Sequence, residues 1–204
     1  MIPLEQLLSS PDFTRAVGDL AGSFRQRFGL GPVDQLGVVV PDVERTAAAL
    51  ERRGLGPFFI AKGSPTMWRE RGEDRLFRGK LGVARHQGVE IELLEPGHGS
   101  DFYARHVADN GAPMVQHLGF LARDVDRGVE RFQKDGYPVL VRGRIETSPS
   151  RTDFAYLDTM EDSGFIMELI HHRVLGMSLA PPWWIYAILA YLEIWTGKRC
   201  ISVK

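Results

Sequence analysis

Val33-Asp34-Gln35-Leu36-Gly37-Val38-Val39-Val40-Pro41-Asp42-Val43-Glu44 is echoed by Val115-Gln116-His117-Leu118-Gly119-Phe120-Leu121-Ala122-Arg123-Asp124-Val125-Asp126. Each copy opens on an apolar strand pattern, passes an Asp-Val step and enters a helical pattern. Each is followed later by a second strand that carries a glutamate in apolar surroundings. These are Val89-Glu90-Ile91-Glu92-Leu93-Leu94 and Phe165-Ile166-Met167-Glu168-Leu169-Ile170. A phrase repeated at a fixed interval signals two copies of one supersecondary unit. It also puts four side chains able to bind a metal, Gln35, Glu92, His117 and Glu168, at matching places.

Outward from these phrases, each unit reads as β-α-β-β-β. After the first phrase, Thr46 to Arg53 is rich in Ala and Leu and closes at Gly54 and Gly56, a helix with its stop signal. Leu55 to Ile60 is a short apolar strand, Ala61 to Gly79 a long polar loop, and Lys80 to Leu94 two strands meeting at Gln87-Gly88. Loops of that length inside a compact domain are often functional, and Trp68 and Phe77 are placed to cover a pocket or to anchor the loop. The second unit repeats the order, with a strand at 116–122, a helix at 125–135 and strands at 139–144, 153–158 and 164–170. The expected fold is α+β: two βαβββ modules (33–96 and 115–172) form a curved mixed sheet around a metal-binding cavity, joined by a linker (97–114). Residues 1–32 form a helical N-terminal extension broken at Ser10-Pro11-Asp12, and 173–204 an apolar C-terminal extension. Leu179 to Leu192 is almost wholly apolar but short of the roughly 20 residues of a spanning helix. It reads as a buried or dimer-contact helix, with an interfacial membrane helix as the lesser alternative because its polar face lacks lysine and arginine.

The composition narrows the class. With 204 residues, 44% of them hydrophobic, the chain can bury a substantial core. Its formal net charge of −1 argues against a nucleic-acid partner, which calls for a basic face. Cys200 is the lone cysteine and reads as a spare thiol, so a reducing, cytoplasmic setting is expected. The N-terminus lacks the basic-then-apolar pattern of a signal peptide.

Strand parity carries the chemistry. Side chains alternate between two faces, so Gln35 shares a face with Gly37 and Val39, and His117 with Gly119 and Leu121. Glu92 lies on one face with Glu90 and Leu94, and Glu168 with Ile166 and Ile170. If the sheet curves with the Gln35/His117 face concave, all four polar groups point inward. Unpaired carboxylates in such apolar strands are costly, and two at equivalent positions call for a cation. One imidazole nitrogen and three oxygens suit a divalent ion, Zn²⁺, Co²⁺, Ni²⁺ or Mn²⁺, with Mg²⁺ also admissible. An octahedral site would keep two positions open for a bidentate oxygen ligand, whose carbonyl is polarised and whose α-proton becomes acidic.

Four motifs resemble the vicinal oxygen chelate superfamily, which includes glyoxalase I, methylmalonyl-CoA epimerase, bleomycin-resistance proteins and extradiol dioxygenases. They are Val33-Asp34-Gln35-Leu36-Gly37, Ile91-Glu92-Leu93-Leu94-Glu95-Pro96, Gln116-His117-Leu118-Gly119-Phe120 and Met167-Glu168-Leu169-Ile170. They occur in order over residues 33 to 172, and the resemblance implies Gln35, Glu92, His117 and Glu168 as metal ligands. Ile91 to Pro96 and Phe154-Ala155-Tyr156-Leu157-Asp158-Thr159 look most like the methylmalonyl-CoA epimerase branch. The Gln/Glu/His/Glu order departs from that branch, which usually has His first and Gln second, and is similar to some glyoxalase I enzymes. The usual aromatic-rich first helix of glyoxalase I is replaced here by Thr46-Ala47-Ala48-Ala49-Leu50.

The reading is therefore a metal-dependent isomerase, epimerase or lyase that abstracts a proton beside a chelated carbonyl. Glu168 or Glu92 is the base, or Glu90 from outside the ligand set. The expected substrate is a small carbonyl compound, an acyl-CoA or a hydrophobic molecule, and the expected assembly a homodimer off the membrane. The alternatives are a sequestering protein of the bleomycin-resistance kind and, last, a ring-cleaving dioxygenase, which needs two histidines where this set has one. Arg85 and Arg151 are the groups that would satisfy the carboxylates if no metal did. Tyr156 reads as packing or a substrate contact, His171 and His172 as a surface pair near the site, and His98 as a loop residue.

Overall fold

The computed structural model describes residues 1–179 and 183–203. The N-terminal extension is one strand, β1 (Ile2–Pro3), and three short helices, α1 (Leu4–Leu8), α2 (Phe13–Gly18) and α3 (Gly22–Phe28), rather than two helical pieces. Its apolar side chains reach the convex side of the sheet, where Phe28 stacks on Phe132 with ring centroids 4.2 Å apart. Leu4, Leu7, Phe13, Val17 and Phe24 join Leu36, Val38, Leu118 and Phe120 in the main core.

The first echoed phrase folds as β2 (Gln35–Val39) and α4 (Val43–Glu51), followed by β3 (Phe59–Gly63), β4 (Met67–Glu70), β5 (Glu73–Asp74), β6 (Gly79–His86) and β7 (Val89–Leu94). The second folds as β8 (Met114–Leu121) and α5 (Val125–Lys134), then β9 (Val139–Thr147), β10 (Ser150–Leu157), the short α6 (Met160–Ser163) and β11 (Ile166–Val174). The repeated Asp-Val step is the helix start. Asp42 and Asp124 are N-caps with near-identical backbones (φ −153, ψ 113 and φ −151, ψ 109), and their carboxylates accept from the N–H of Arg45 and Arg127. Each such cap is worth about 1 kcal/mol. Gln87 and Gly88 both have positive φ, the demand of a two-residue hairpin turn whose twist matches its strands.

Among the described residues twelve strands form one sheet in the order β12-β3-β6-β7-β2-β8-β11-β10-β9-β4-β5, where β12 is Ile201–Ser202 and β1 pairs alongside β8. The modules are joined at their first strands, β2 and β8, which run antiparallel. Within each module the first strand is parallel to the last, β2 to β7 and β8 to β11. The expected α+β architecture is the observed one.

The long loop differs from its reading. Met67–Glu70 leaves the first module and pairs with β9 at the far edge of the second. Only residues 64–66 separate β3 from β4, so two strands near opposite ends of the sheet lie within roughly 14 Å, the reach of four extended residues. The sheet must therefore curl, and the polar composition of 61–79 gives no local hint of a pairing made with a strand seventy residues away.

In the C-terminal extension, α7 (Trp183–Thr196) lies against β3 and β6, with Ala190 buried among Phe59, Ala61 and Val83. The sequence placed this helix from 179; residues 180–182 lie outside the described residues. Phe59, Ala61 and Val83 face the concave side, whereas Ile60 belongs to the convex core and Gly82 abuts Val43 of α4. The tail therefore crosses the hollow of the sheet, not its back. Among the described residues no helix is long and apolar enough to cross a membrane.

Candidate metal centre

Four strands bring the sequence-predicted groups together at the module junction. Glu92, His117 and Glu168 each offer a ligand atom, and these atoms lie within 4.8 Å of one another. His117 Nε2 stands 3.2 Å from Glu168 Oε2 and 3.7 Å from Glu92 Oε2, with the side chains 0, 5 and 14% exposed respectively. His117 Nε2 and Glu168 Oε2 are buried without a hydrogen-bond partner although they lie close together. Neither arginine that might satisfy the carboxylates is there: Arg151 binds Asp153, and Arg85 binds the carbonyl of Gly88.

The repeated glycines make the space. Gln35 is opposite Gly119, and Gly37 opposite His117, across the β2–β8 pair. A Cβ on Gly37 would overlap the imidazole, and one on Gly119 would lie 2.9 Å from the Gln35 Cβ and 3.0 Å from its Oε1. Each module thus supplies a polar side chain and the gap that receives the other module's.

Gln35 is oriented by Glu90, its partner in the β2–β7 register. The amide nitrogen donates to Glu90 Oε1 at 2.7 Å, which leaves Gln35 Oε1 buried and without a partner. Glu90 is thereby engaged with Gln35 rather than lying on a solvated edge. His117 Nδ1 is 3.1 Å from Gln116 Oε1, the kind of contact through the other ring nitrogen that orients a ligating imidazole.

Enclosure shapes the electrostatics. Burial raises the Glu92 carboxyl, and the nearby Glu168 charge adds to this against the pull of His117. Burial likewise pushes Glu90 up to about 7, opposed by the Gln35 hydrogen bond. At His117 burial alone would lower the pKa, but the Glu168 charge and both glutamates' contacts outweigh it and raise it to about 9. Two carboxyl groups are thus held around one imidazole in a largely buried site. A divalent cation fits this donor set: it would neutralise both carboxylates and give the unpartnered Gln35 Oε1, His117 Nε2 and Glu168 Oε2 a common partner.

Beside these groups opens a cavity of about 240 Å³ whose lining includes Gln35, Glu90 and Glu92. Residues outside the expected ligand set build its walls. Tyr103, from the linker, and Tyr156 are buried and share a hydroxyl–hydroxyl hydrogen bond of 2.9 Å; burial and the neighbouring carboxylates hold both phenols far above their ordinary pKa. Trp68 and Phe77 stack at 4.5 Å and line the cavity, so the long loop does cover a pocket. His172 also lines it, with Nδ1 2.9 Å from Thr152 Oγ1, while His171 pairs with Ser178. His98 meets Arg78 through a backbone bridge. The local sequence marks neither Tyr103 nor Tyr186 as cavity residues.

Residues 34–156, more than half of the chain, match the family model described as Glyoxalase/Bleomycin resistance protein/Dioxygenase superfamily. The chain belongs to this superfamily. Solved structures similar to this superfamily member include a methylmalonyl-CoA epimerase from Mycobacterium tuberculosis, at 16% identity over 69% of this chain and 87% of that one, TM-score 0.45. Another is a Streptomyces coelicolor methylmalonyl-CoA epimerase variant in complex with 2-nitronate-propionyl-CoA, at 20% over 74% and 99%, TM-score 0.47. A mutant 4-hydroxymandelate synthase from Streptomyces coelicolor aligns at 14% over 80% and 54%, TM-score 0.48. No curated protein matches the chain. Superfamily membership rests on the match of residues 34–156.

Proposed function

We propose that the protein is a metal-dependent isomerase, epimerase or lyase that moves a proton on the carbon beside a chelated carbonyl. The observation that carries this reading is the meeting of Glu92, His117 and Glu168 ligand atoms within 4.8 Å of one another, with His117 Nε2, Glu168 Oε2 and Gln35 Oε1 buried and partnerless. Gln35, Glu92, His117 and Glu168 would hold one divalent ion, Zn²⁺, Co²⁺, Ni²⁺, Mn²⁺ or Mg²⁺. Such an ion, when bound, polarises a carbonyl oxygen and acidifies the adjacent C–H.

The chain's own groups do the proton work. Glu168 or Glu92 takes the α-proton on a carboxylate oxygen and returns it to the same carbon or a neighbouring one. Their enclosure supports this role, because burial raises Glu92 toward the range in which a carboxylate exchanges protons effectively near neutral pH. Glu90 is tied to the Gln35 amide, which makes it a positioning residue in this scheme and leaves Glu168 and Glu92 as the bases. One imidazole in the set, with His172 engaged by Thr152 instead, argues against ring-cleaving oxygenation.

A homodimer is part of the same proposal. On α7, Trp184, Ile188, Tyr191, Leu192 and Trp195 recur at helical spacing and are 48–85% exposed. The helix's sole charged residue, Glu193, is buried instead. That stripe amounts to on the order of 600 Å² of apolar surface, near the roughly 800 Å² per partner of a standard interface. The free thiol of Cys200 supports a reducing, cytoplasmic setting.

Metal analysis of the purified protein tests the centre, and exchange of a substrate α-proton with deuterated water tests the chemistry. One divalent ion per chain and chelator-sensitive exchange are expected. A metal-free protein with no exchange across acyl-CoA thioesters and α-keto compounds overturns the proposal.

A further inference from the structure

We infer that the cavity accepts a compact, uncharged carbonyl compound with an apolar ring, and that the C-terminal helix supplies one side of the ring's berth. The inference rests on the metal-centre reading for where the carbonyl points, but the berth itself is built from separate residues. The cavity has two apolar walls. One is the aromatic cluster in which Trp68 stacks on Phe77 and meets Phe154 at 6.2 Å. The other comes from the first module and the tail, where Phe59 meets Tyr186 of α7 at 6.0 Å. Glu92 lies between these walls on the cavity's lining, so a carbonyl held there sends its body between two sets of rings.

The polar groups near Glu90 and Glu92 disfavour a charged body. Among the described residues the lining includes Glu90, Glu92 and Glu146, and its one amine is Lys80. Lys80 Nζ is already held by Glu44 at 2.8 Å and Glu95 at 3.5 Å. A phosphate or second carboxylate beside Glu90 and Glu92 would meet like charge, whereas Glu146 at the other end is already paired with Arg144 at 3.9 Å and Arg151 at 3.7 Å. Among the described residues the lining also carries the hydroxyls of Ser64, Ser150 and Tyr186, donors for a neutral acceptor such as a ring ether or hydroxyl oxygen. The volume of about 240 Å³ falls below the roughly 300–1,000 Å³ of pockets for drug-sized ligands, which suits a body of one or two small rings.

The test compares three probes by calorimetry on the full-length, metal-loaded protein: α-hydroxyacetophenone, hydroxyacetone and propionyl-CoA. The first two share a neutral hydroxyketone head and differ in the phenyl ring. α-Hydroxyacetophenone should bind at least tenfold tighter than either of the others. Tyr186→Ala, on a half-buried helix position, should keep the fold. Tyr186→Ala should remove at least threefold of the ring preference while leaving hydroxyacetone affinity unchanged. Equal affinity for the two hydroxyketones, tighter binding of propionyl-CoA, or an unaltered preference in Tyr186→Ala overturns the inference. Metal content measured on the same samples separates the two readings. A protein that binds no metal yet still prefers the phenyl probe refutes the metal centre and supports the berth.

Discussion

The imidazole of His117 lies on the backbone of Gly37, its partner across the β2–β8 pair, in space that any side chain at 37 would fill. The reciprocal pair, Gln35 over Gly119, completes a crossed arrangement in which each repeat accommodates the other's polar group. This explains why both phrases place a glycine two residues after the polar position: parity puts the two on one face, and antiparallel pairing sets each glycine under the opposite polar side chain.

Gly37→Ala should therefore displace His117 at a cost of about 1–3 kcal/mol, the usual range for overfilling a packed site. Metal affinity should fall with it. Gly119→Ala should do less harm, because the intruding methyl meets atoms at 2.9–3.0 Å rather than overlapping a ring. Thermal melts with and without added Zn²⁺ check the order; an unchanged metal-induced shift in Gly37→Ala would contradict the crossed arrangement.

His117→Ala and Glu168→Gln should each abolish stoichiometric metal binding while the fold persists. Both remove a buried atom that has no other partner, and Glu168→Gln also removes one of the two charges a cation would balance. Elemental analysis after dialysis, with circular dichroism as the folding control, decides. Retention of one ion per chain in both variants would place the metal elsewhere.

Glu90→Ala should weaken metal binding about 10–100-fold, the scale found when a group that orients a ligand is lost. The Gln35 amide would lose the acceptor that turns its oxygen inward. Calorimetric metal titration reads this directly. A variant with native metal affinity but no proton exchange would instead make Glu90 the base.

Replacing Ile188 and Leu192 together by aspartate should convert a dimer to a monomer. Both sit in the exposed apolar stripe of α7 and are 51% and 48% exposed, so the fold of one chain does not need them. Sedimentation velocity at micromolar concentration distinguishes the species. A wild-type protein already monomeric there would remove the dimer from the proposal.

Glu193 gives a pH dependence independent of the metal. Burial pushes its carboxyl up to about 7, against the hydrogen bond from the Ile60 N–H. Because the folded value exceeds the unfolded one, the folded state binds the proton more tightly. Stability from this group is full below about 4.5 and is lost as the pH rises through 7. Glu193→Gln keeps an acceptor for Ile60 and removes the ionisation. It should melt with the wild type at pH 4 and above it at pH 8; parallel melting curves at both pH values would exclude the effect.

How much could be read before folding differs by element. The duplication, the Asp42 and Asp124 helix starts and the inward set of Gln35, Glu92, His117 and Glu168 were all legible in the chain. They depend on a two-residue strand period and on local capping, which act between near neighbours. The two strands inside 61–79, the tether of Gln35 to Glu90 and the partner of each glycine were not. Periodicity says which face a residue occupies but not which strand lies beside it.

The sequence by itself determined that two like strand phrases each present side chains of metal-ligating type on one strand face. Tertiary structure alone decided that these faces meet, that Gly37 and Gly119 are exchanged between modules, and that Tyr103 and Tyr186 enclose the cavity. The physical reason is distance along the chain. Tyr186 reaches Phe59 across more than a hundred residues, and only the curl of the sheet, with α7 crossing its hollow, puts those two rings on the same wall.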